Sequence, residues 1–253
     1  MLNSNFLAEL PVIAFFKRLF ALLLFVLTVS GCASTSPVLM EPSILDEPDA
    51  SFLIVTTQYT PSGKMFRKGA QGLLDIAINS AVTAPVSNFL ATKNGAEFDA
   101  MVDKIEQELE RRNIAVSRYD RPIDYSALPK RKTVKGEFNK DLSSIFSQTD
   151  AKYVLFLRLV GYGAERAYFG FLPASSPEGV VYLDGAIVDR SSNLQWAINE
   201  STSLTPRFIK AVDGKWNEPP NYPSLDQALT DSWQKAEDGV ITDIFGAASV
   251  SAN

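Results

Sequence analysis

Hydrophobic residues recur along the chain with two different periods, and the change from one to the other outlines the fold. "SFLIVTT", Ser51 to Thr57, is a short β-branched apolar run of the kind that forms a buried strand. "KYVLFLRLVGYG" from Lys152, "GVVYLDGAIVD" from Gly179 and "LQWAINEST" from Leu194 read as three more strands, the last two joined by a tight turn from Arg190 to Asn193. An antiparallel meander is expected, with Ile187 opposite Trp196 and, across a longer loop of residues 166–176, Leu155 opposite Ile187. In that register Leu155, Leu157, Leu159, Leu183, Ile187, Leu194, Trp196 and Ile198 share one face. A one-residue slip scatters the set, so the pattern specifies the register as well as the strands. The same register lines up Arg158, Asp184 and Asn199 in a polar row on the other face, where Asp184 lies directly opposite Arg158 as an ion-pair partner.

Elsewhere the period is helical. In "GAEFDAMVDKIEQELERRN", Phe98, Met101, Val102, Ile105 and Leu109 line one face, with carboxylates early and Arg111 and Arg112 in the last turn, where they complement the helix dipole. "IAVSRYD" from Ile114 follows as a short strand, then a loop, then a short helix from Asp141 to Gln148. After a proline-rich loop from Trp216 to Pro223, Ser224 is placed to cap a helix carrying Leu225, Leu229, Trp233, Ala236, Val240 and Ile244 at helical spacing. Residues 64–93 are rich in small residues. Leu73, Leu74, Ala77, Ile78, Ala81 and Val82 keep helical spacing there, and Pro85 is expected to end or kink that helix near Ala84. The simplest reading is a helix buried against the sheet or in a peripheral hairpin. Its thin polar face leaves open a segment that touches a membrane or a partner. Two amphipathic helices on one apolar sheet face predict an α/β fold: a two-layer sandwich whose mixed sheet contains an antiparallel meander.

The N-terminal pattern is different in kind. An apolar run from Leu19 to Val29 follows Lys17 and Arg18 and closes on small residues, as a secretory h-region does. It is shorter than the roughly 20 residues a spanning helix needs. The junction Val29, Ser30, Gly31, Cys32, Ala33 resembles a bacterial lipobox, so the reading is a signal peptide over 1–31, lipidation at Cys32, a tether over 32–50, a single α/β periplasmic domain over 51–247 and a tail over 248–253. The long segment before Lys17, with its acidic Glu9, departs from that pattern and leaves the true start open. Acylated Cys32 is the only cysteine in the chain, and it would be no nucleophile, metal ligand or disulfide partner. Attachment by more than one acyl chain holds a protein on a bilayer, each buried CH₂ contributing about 0.8 kcal/mol. The same resemblance implies, from Ala33 after the cysteine where an aspartate favours inner-membrane retention, attachment to the outer membrane, periplasmic face, over the inner membrane.

Composition narrows the chemistry further. Lys plus Arg total 24 against 29 Asp plus Glu, a formal charge of −5 that argues against general nucleic-acid binding. There is no histidine, which removes Ser-His-Asp triads, most zinc sites and imidazole acid–base chemistry. The one basic run, Lys130, Arg131, Lys132 and Lys135, is solvated surface or a contact for an anionic partner such as lipid headgroups. Glu165, Glu178, Asp184 and Asp189 lie near the central strands, but Asp184 and Asp189 are an odd number of residues apart and point to opposite faces.

"DAKYVLFLRLVGYG" and "LDGAIVDRSSNLQW", in which a strand ends in Asp189 and a turn leads to Trp196, resemble the pattern of the CsgG, LpoB and GNA1162-like periplasmic lipoproteins. The similarity covers roughly residues 50–245 in element order. It implies an anticodon-binding or TolB N-terminal type of α/β fold and a role in envelope assembly, with no catalytic residue to carry over. The turn "RSSN" replaces a Thr-Gly pair frequent in that group, and residues 64–93 have no counterpart in its smaller members. No pair of strictly alternating segments suits a pore former. The expectation is therefore a non-enzymatic, lipid-anchored accessory or scaffold, with no cofactor or metal, that binds the membrane through its lipid and an envelope protein through its surface. Whether it forms a homo-oligomer is left open. The alternatives are a glycan-acting enzyme using two carboxylates, or a module that binds the cell wall without catalysis.

Overall fold

A computed structural model of the chain describes residues 37–246, apart from 58, 60, 61, 133, 199–206 and 217. Cys32, the expected signal peptide and the expected tail lie outside the described residues. Among the described residues the strands are β1 (Ser51–Thr56), β2 (Lys64–Lys68), β3 (Ala115–Arg118), β4 (Tyr153–Phe169), β5 (Leu172–Pro173), β6 (Glu178–Asp189), β7 (Leu194–Ala197) and β8 (Arg207–Ala211). They form one mixed sheet in the order β3-β1-β4-β6-β7, with β2 and β5 also on β4, and β8 on β6. The helices are α1 (Leu73–Ala91), α2 (Ala96–Arg111), α3 (Ser143–Phe146) and α4 (Pro223–Phe245). This is the expected mixed α/β sandwich.

The sheet is organised around β4 and β6, which pair antiparallel from Tyr153↔Asp189 out to Glu165↔Glu178. β1 runs parallel to the first half of β4 and β2 parallel to the second half. The second pairing requires Gly163, whose φ is +141° and whose absent Cβ would lie 2.1 Å from the Lys64 carbonyl oxygen. Leu155 faces Ile187, and Ile187 faces Trp196, as the hydrophobic pattern required. Leu155, Leu157, Leu159, Leu183, Ile187 and Trp196 are all buried in one core, with Ile198 packed against it. Leu194 is a correction. A register shift after Ile187 pairs it with Val188 and sends it to the core on the opposite face. The partner expected for the polar row at Asn199 lies outside the described residues.

The larger core lies between the sheet and the helices. α2 contributes Phe98, Met101, Val102, Ile105 and Leu109, and α4 contributes Leu225, Leu229, Trp233, Ala236, Val240 and Ile244. α4 lies close against β6 because Gly179 has no side chain: a Cβ there would come within 2.4 Å of the Ala228 carbonyl. Ser232, buried at the same crossing, donates to the Gly179 carbonyl at 2.8 Å. Ser224 is not the cap of α4. The helix starts earlier, with Tyr222 at φ +45° as N-cap and Pro223 in the first turn, where a missing N–H costs nothing.

Two other expectations are corrected at α1. Of the two effects expected at Pro85, it does not end this helix, which runs through it to Ala91. Pro85 and Ala81 are exposed, so the turn in which the proline removes a backbone hydrogen bond lies on the solvent side, while Val86 and Leu90 beyond it are held in the core. Nor is the helix buried by its apolar set: Leu73, Leu74, Ile78 and Val82 are exposed, and Asn79, Thr83, Val86 and Leu90 face inward.

The second face of the sheet is covered as well. Leu53, Val55, Val154, Phe156, Ala186 and Val188 form a satellite core with Phe138, Leu142, Ile145 and Phe146 from the segment that includes α3. α3 is shorter than the helix expected over 141–148, and the Asp141 carboxylate accepts from the Ser143 N–H at its start at 2.9 Å. Part of the segment expected as a tether is packed too. Val38 bridges to Ala197, Ile44 is in the main core, and Lys152 holds Glu47 at 2.9 Å and Asp49 at 2.8 Å.

Candidate functional site

The four carboxylates near the central strands have distinct local roles. Asp189 ends β6 and organises the following turn, accepting from the Ser191 and Asn193 N–H groups at 2.8 and 2.9 Å and from the Asn193 and Gln195 side chains. With Ser192 at φ +72°, this is turn chemistry of the Asx kind. Asp184 pairs with Arg158 at 2.8 Å, directly across β4 and β6. Glu165 is buried, ion-paired to Lys68 at 2.8 Å, and accepts a hydrogen bond from the Tyr182 hydroxyl. Glu178, half-buried, stands opposite Glu165 in the register. The structure therefore groups Glu165 with Glu178 and leaves Asp184 and Asp189 apart from them.

Arg158 and Asp184 belong to a covered polar cluster rather than to an open row. The Arg158 guanidinium lies 4.1 Å from the centre of the Tyr125 ring, and Lys140 lies over the same ring at 4.5 Å while donating to the Leu128 carbonyl at 2.9 Å. Only 20% of the Arg158 side chain and 19% of the Asp184 side chain is exposed. Burial pushes the Asp184 carboxyl above its ordinary range against the pull of Arg158, and burial lowers the Lys140 ammonium. Of the basic run, Arg131 is bound to Glu137 at 3.1 Å and to the Ser192 hydroxyl, which ties this loop to the turn after β6. Lys130, Lys132 and Lys135 are exposed. Among the described residues there is no cluster of three or more acidic or cysteine side chains arranged to hold a metal ion.

The feature that the sequence did not promote to a site lies at the far end of the β4–β6 hairpin. Phe169, Phe171 and Leu172 are exposed at its tip, and the first turns of α1 expose Leu73 and Leu74 beside it. The two segments are joined by polar contacts. The Gly170 N–H donates to the Ala70 carbonyl at 2.9 Å, and Asn79 Nδ2 donates to the Gly170 carbonyl at 3.0 Å and to Gln71 at 3.0 Å. Thr83 donates to the Asn79 carbonyl at 2.7 Å and accepts from Arg67 at 2.8 Å. In the N-terminal half of α1 the polar residues Asn79 and Thr83 thus face the protein and the apolar Leu73, Leu74, Ile78 and Val82 face out. The signal for this was the run of Leu, Ile and Val that the buried Asn79 and Thr83 interrupt.

No protein-family model matches the chain, and no curated protein matches it. Among solved structures, it is similar to lipoprotein GNA1162 from Neisseria meningitidis at 11% identity, over 72% of this chain and 96% of that one, with a TM-score of 0.28. It is similar to a hypothetical protein from Chlamydia trachomatis at 10% identity, over 78% of this chain and 98% of that one, with a TM-score of 0.33. A third similarity, at 11% identity over 81% of this chain and 90% of the other with a TM-score of 0.28, is to a protein described as a homolog of the neuraminyllactose-binding hemagglutinin from Helicobacter pylori. A member of the group named on sequence grounds is thus among the structural neighbours, at scores that carry no argument about function.

Proposed function

We propose that this chain is a lipid-anchored periplasmic lipoprotein, attached through Cys32 to the outer membrane, that serves as a non-catalytic accessory or scaffold in envelope assembly. The observation that carries the non-catalytic reading is the commitment of the central carboxylates to structural partners. Asp189 holds a turn, Asp184 holds Arg158, and Glu165 holds Lys68 and Tyr182. A glycosidic acid–base pair needs two carboxylates flanking an accessible bond. Here the Glu165 member of the juxtaposed pair is buried and ion-paired. The lipid-anchor half of the reading rests on the junction at Cys32.

Photocrosslinking in intact cells, followed by mass spectrometry, tests the role directly. The expected result is one envelope protein captured in stoichiometric yield, together with an acylated N-terminal peptide beginning at Cys32. Release of soluble fragments from purified peptidoglycan, lost in Glu178→Gln, would overturn the non-catalytic reading. An unmodified Cys32 would overturn the anchor.

A further inference from the structure

The first half of the sheet ends differently on its two sides. At β7 the chain closes its own edge: Val38 and Ala197 exchange N–H···O bonds at 3.0 Å, and the Gly136 carbonyl accepts from the Leu194 N–H at 2.8 Å. β3 has β1 on one side and, among the described residues, no strand on the other. Ile54 pairs with Arg118, and the Tyr119 N–H donates to the Ile54 carbonyl at 2.9 Å, which turns the N–H and C=O of Ser117 and Tyr119 towards β1. Those of Val116 and Arg118 therefore point outward. Ala115, Ser117 and Arg118 are exposed, so the edge is open to solvent. Such an edge is ordinarily blunted by proline or by a charged side chain. β3 has no proline, and its one charge, Arg118, is drawn back to α2, where it donates to Asp103 at 2.7 Å and to Glu106 at 2.8 Å.

Both flanks of this edge are acidic. On the α2 flank two carboxylates share the Arg118 guanidinium, and Glu110, one turn beyond Glu106, is exposed with no side-chain bond among the described residues. On the other flank lies a groove of about 280 Å³, lined by the small side chains of Ser51, Ala115 and Ser117 with Thr149 to Ala151 alongside. Asp150 in that groove is exposed and likewise makes no side-chain bond among the described residues. Against these four carboxylates stand Arg118 and Arg190, the latter donating to the Thr149 carbonyl at 2.6 Å. We propose that the outer edge of β3 takes up an extended segment of a partner protein, rich in lysine or arginine, as an added strand. The Val116 and Arg118 backbones supply two donors and two acceptors, and alternate side chains of the segment fall on the two acidic flanks. A long aliphatic stem fits over Ala115 and Ser117 with its charge towards Asp150. A second copy of the chain is disfavoured, because two-fold pairing through β3 sets acidic flank against acidic flank. The inference gives a surface to the partner of the accessory reading and rests on that reading for the partner's place in the envelope. Its test needs neither cells nor lipid, so the two readings fail separately.

The probe is a fluorophore-labelled, amidated eight-residue peptide of alternating lysine and threonine, titrated into the full chain and followed by anisotropy. Saturable binding below about 1 mM is expected, with the Val116 and Arg118 amides exchanging at least about tenfold more slowly in the complex, read by nitrogen-15 NMR. The same peptide with its four central amides N-methylated, and a peptide with glutamate in place of lysine, are each expected to bind at least about tenfold more weakly. Glu110→Gln combined with Asp150→Asn should weaken the lysine peptide by about threefold or more. Undiminished binding of the methylated peptide, or unchanged exchange at Val116 and Arg118, would overturn pairing at the edge. Equal binding of the glutamate peptide, or an unaltered affinity in the double variant, would overturn the basic partner. No saturation below about 1 mM would overturn both. A dimer of the unliganded chain whose Val116 and Arg118 amides lose slow exchange on dilution would give the edge to a second copy and overturn the proposal equally.

Discussion

Trp196 and Arg158 sit on opposite faces of the same sheet, and both are covered. Trp196 is 1% exposed, so Trp196→Ala is expected to cost about 3 to 5 kcal/mol, read from denaturant midpoints. Arg158→Ala is expected to cost about 3 kcal/mol, well above the value for an exposed pair, because it leaves Asp184 buried without its cation. Replacing both partners by apolar residues of similar size should recover most of that loss, since Arg158 Nε is buried with no hydrogen-bond partner among the described residues. At Glu108, the Arg111 guanidinium, helped by Arg112 and opposed by burial, holds the carboxyl down to about 2. A lowered acid contributes stability that is present above its unfolded value, about 4.3, and is lost as pH falls through about 2. Glu108→Gln should therefore flatten acid unfolding in that window. The effect is modest, because 64% of the Arg111 side chain is exposed to screening water. At this scale the sequence was most legible where one face had to be wholly apolar, as with Ile187 opposite Trp196. It misled at Leu194, because a bulge shifts register without leaving a mark in the hydrophobic pattern.

Among the elements, α2 and α4 were legible because each carries a single broad apolar face. α1 was legible as a helix, but its orientation was not, because orientation is set by Asn79 and Thr83 reaching groups distant in sequence. Pro85→Ala should raise stability by about 1 to 3 kcal/mol, measured by denaturant unfolding, since the site is exposed and helical on both sides. A loss on this substitution would mean that the proline shapes the helix against the sheet. β2 and β8 had no sequence signature. "KMFRK" and "RFIKA" each place two adjacent apolar residues between charged or small ones, which gives neither a period of two nor an unbroken run. They are strands because β4 and β6 extend far enough to offer them an edge.

In the whole molecule, the mixed sheet and its helical layer followed from counting faces, whereas the cover on the second face did not. Residues 121–140 read as a charged loop before a short helix, with no sign that they cover the sheet, yet Phe138 from that loop joins Leu142, Ile145 and Phe146 in closing that face. The candidate carboxylates were legible as residues and opaque as a site, because ion pairs such as Lys68 with Glu165 join positions far apart in sequence. The parallel pairing of β1 with β4 bears on how the chain reaches this state. Ser51 and Lys152, which meet at the start of that pairing, are 101 residues apart. A chain emerging at about 5 to 20 residues per second completes β1 on the order of 5 to 20 s before its partner strand exists. For that interval "FLIV", buried on both faces in the finished sheet, has at most the short strand β3 on one edge and leaves the other edge open, the kind of apolar edge that seeds aggregation. The exposure of that edge ends only when β4 is made and pairs, so the arrival of this one distant strand, more than the final stability, sets how long β1 stays open to the wrong partner.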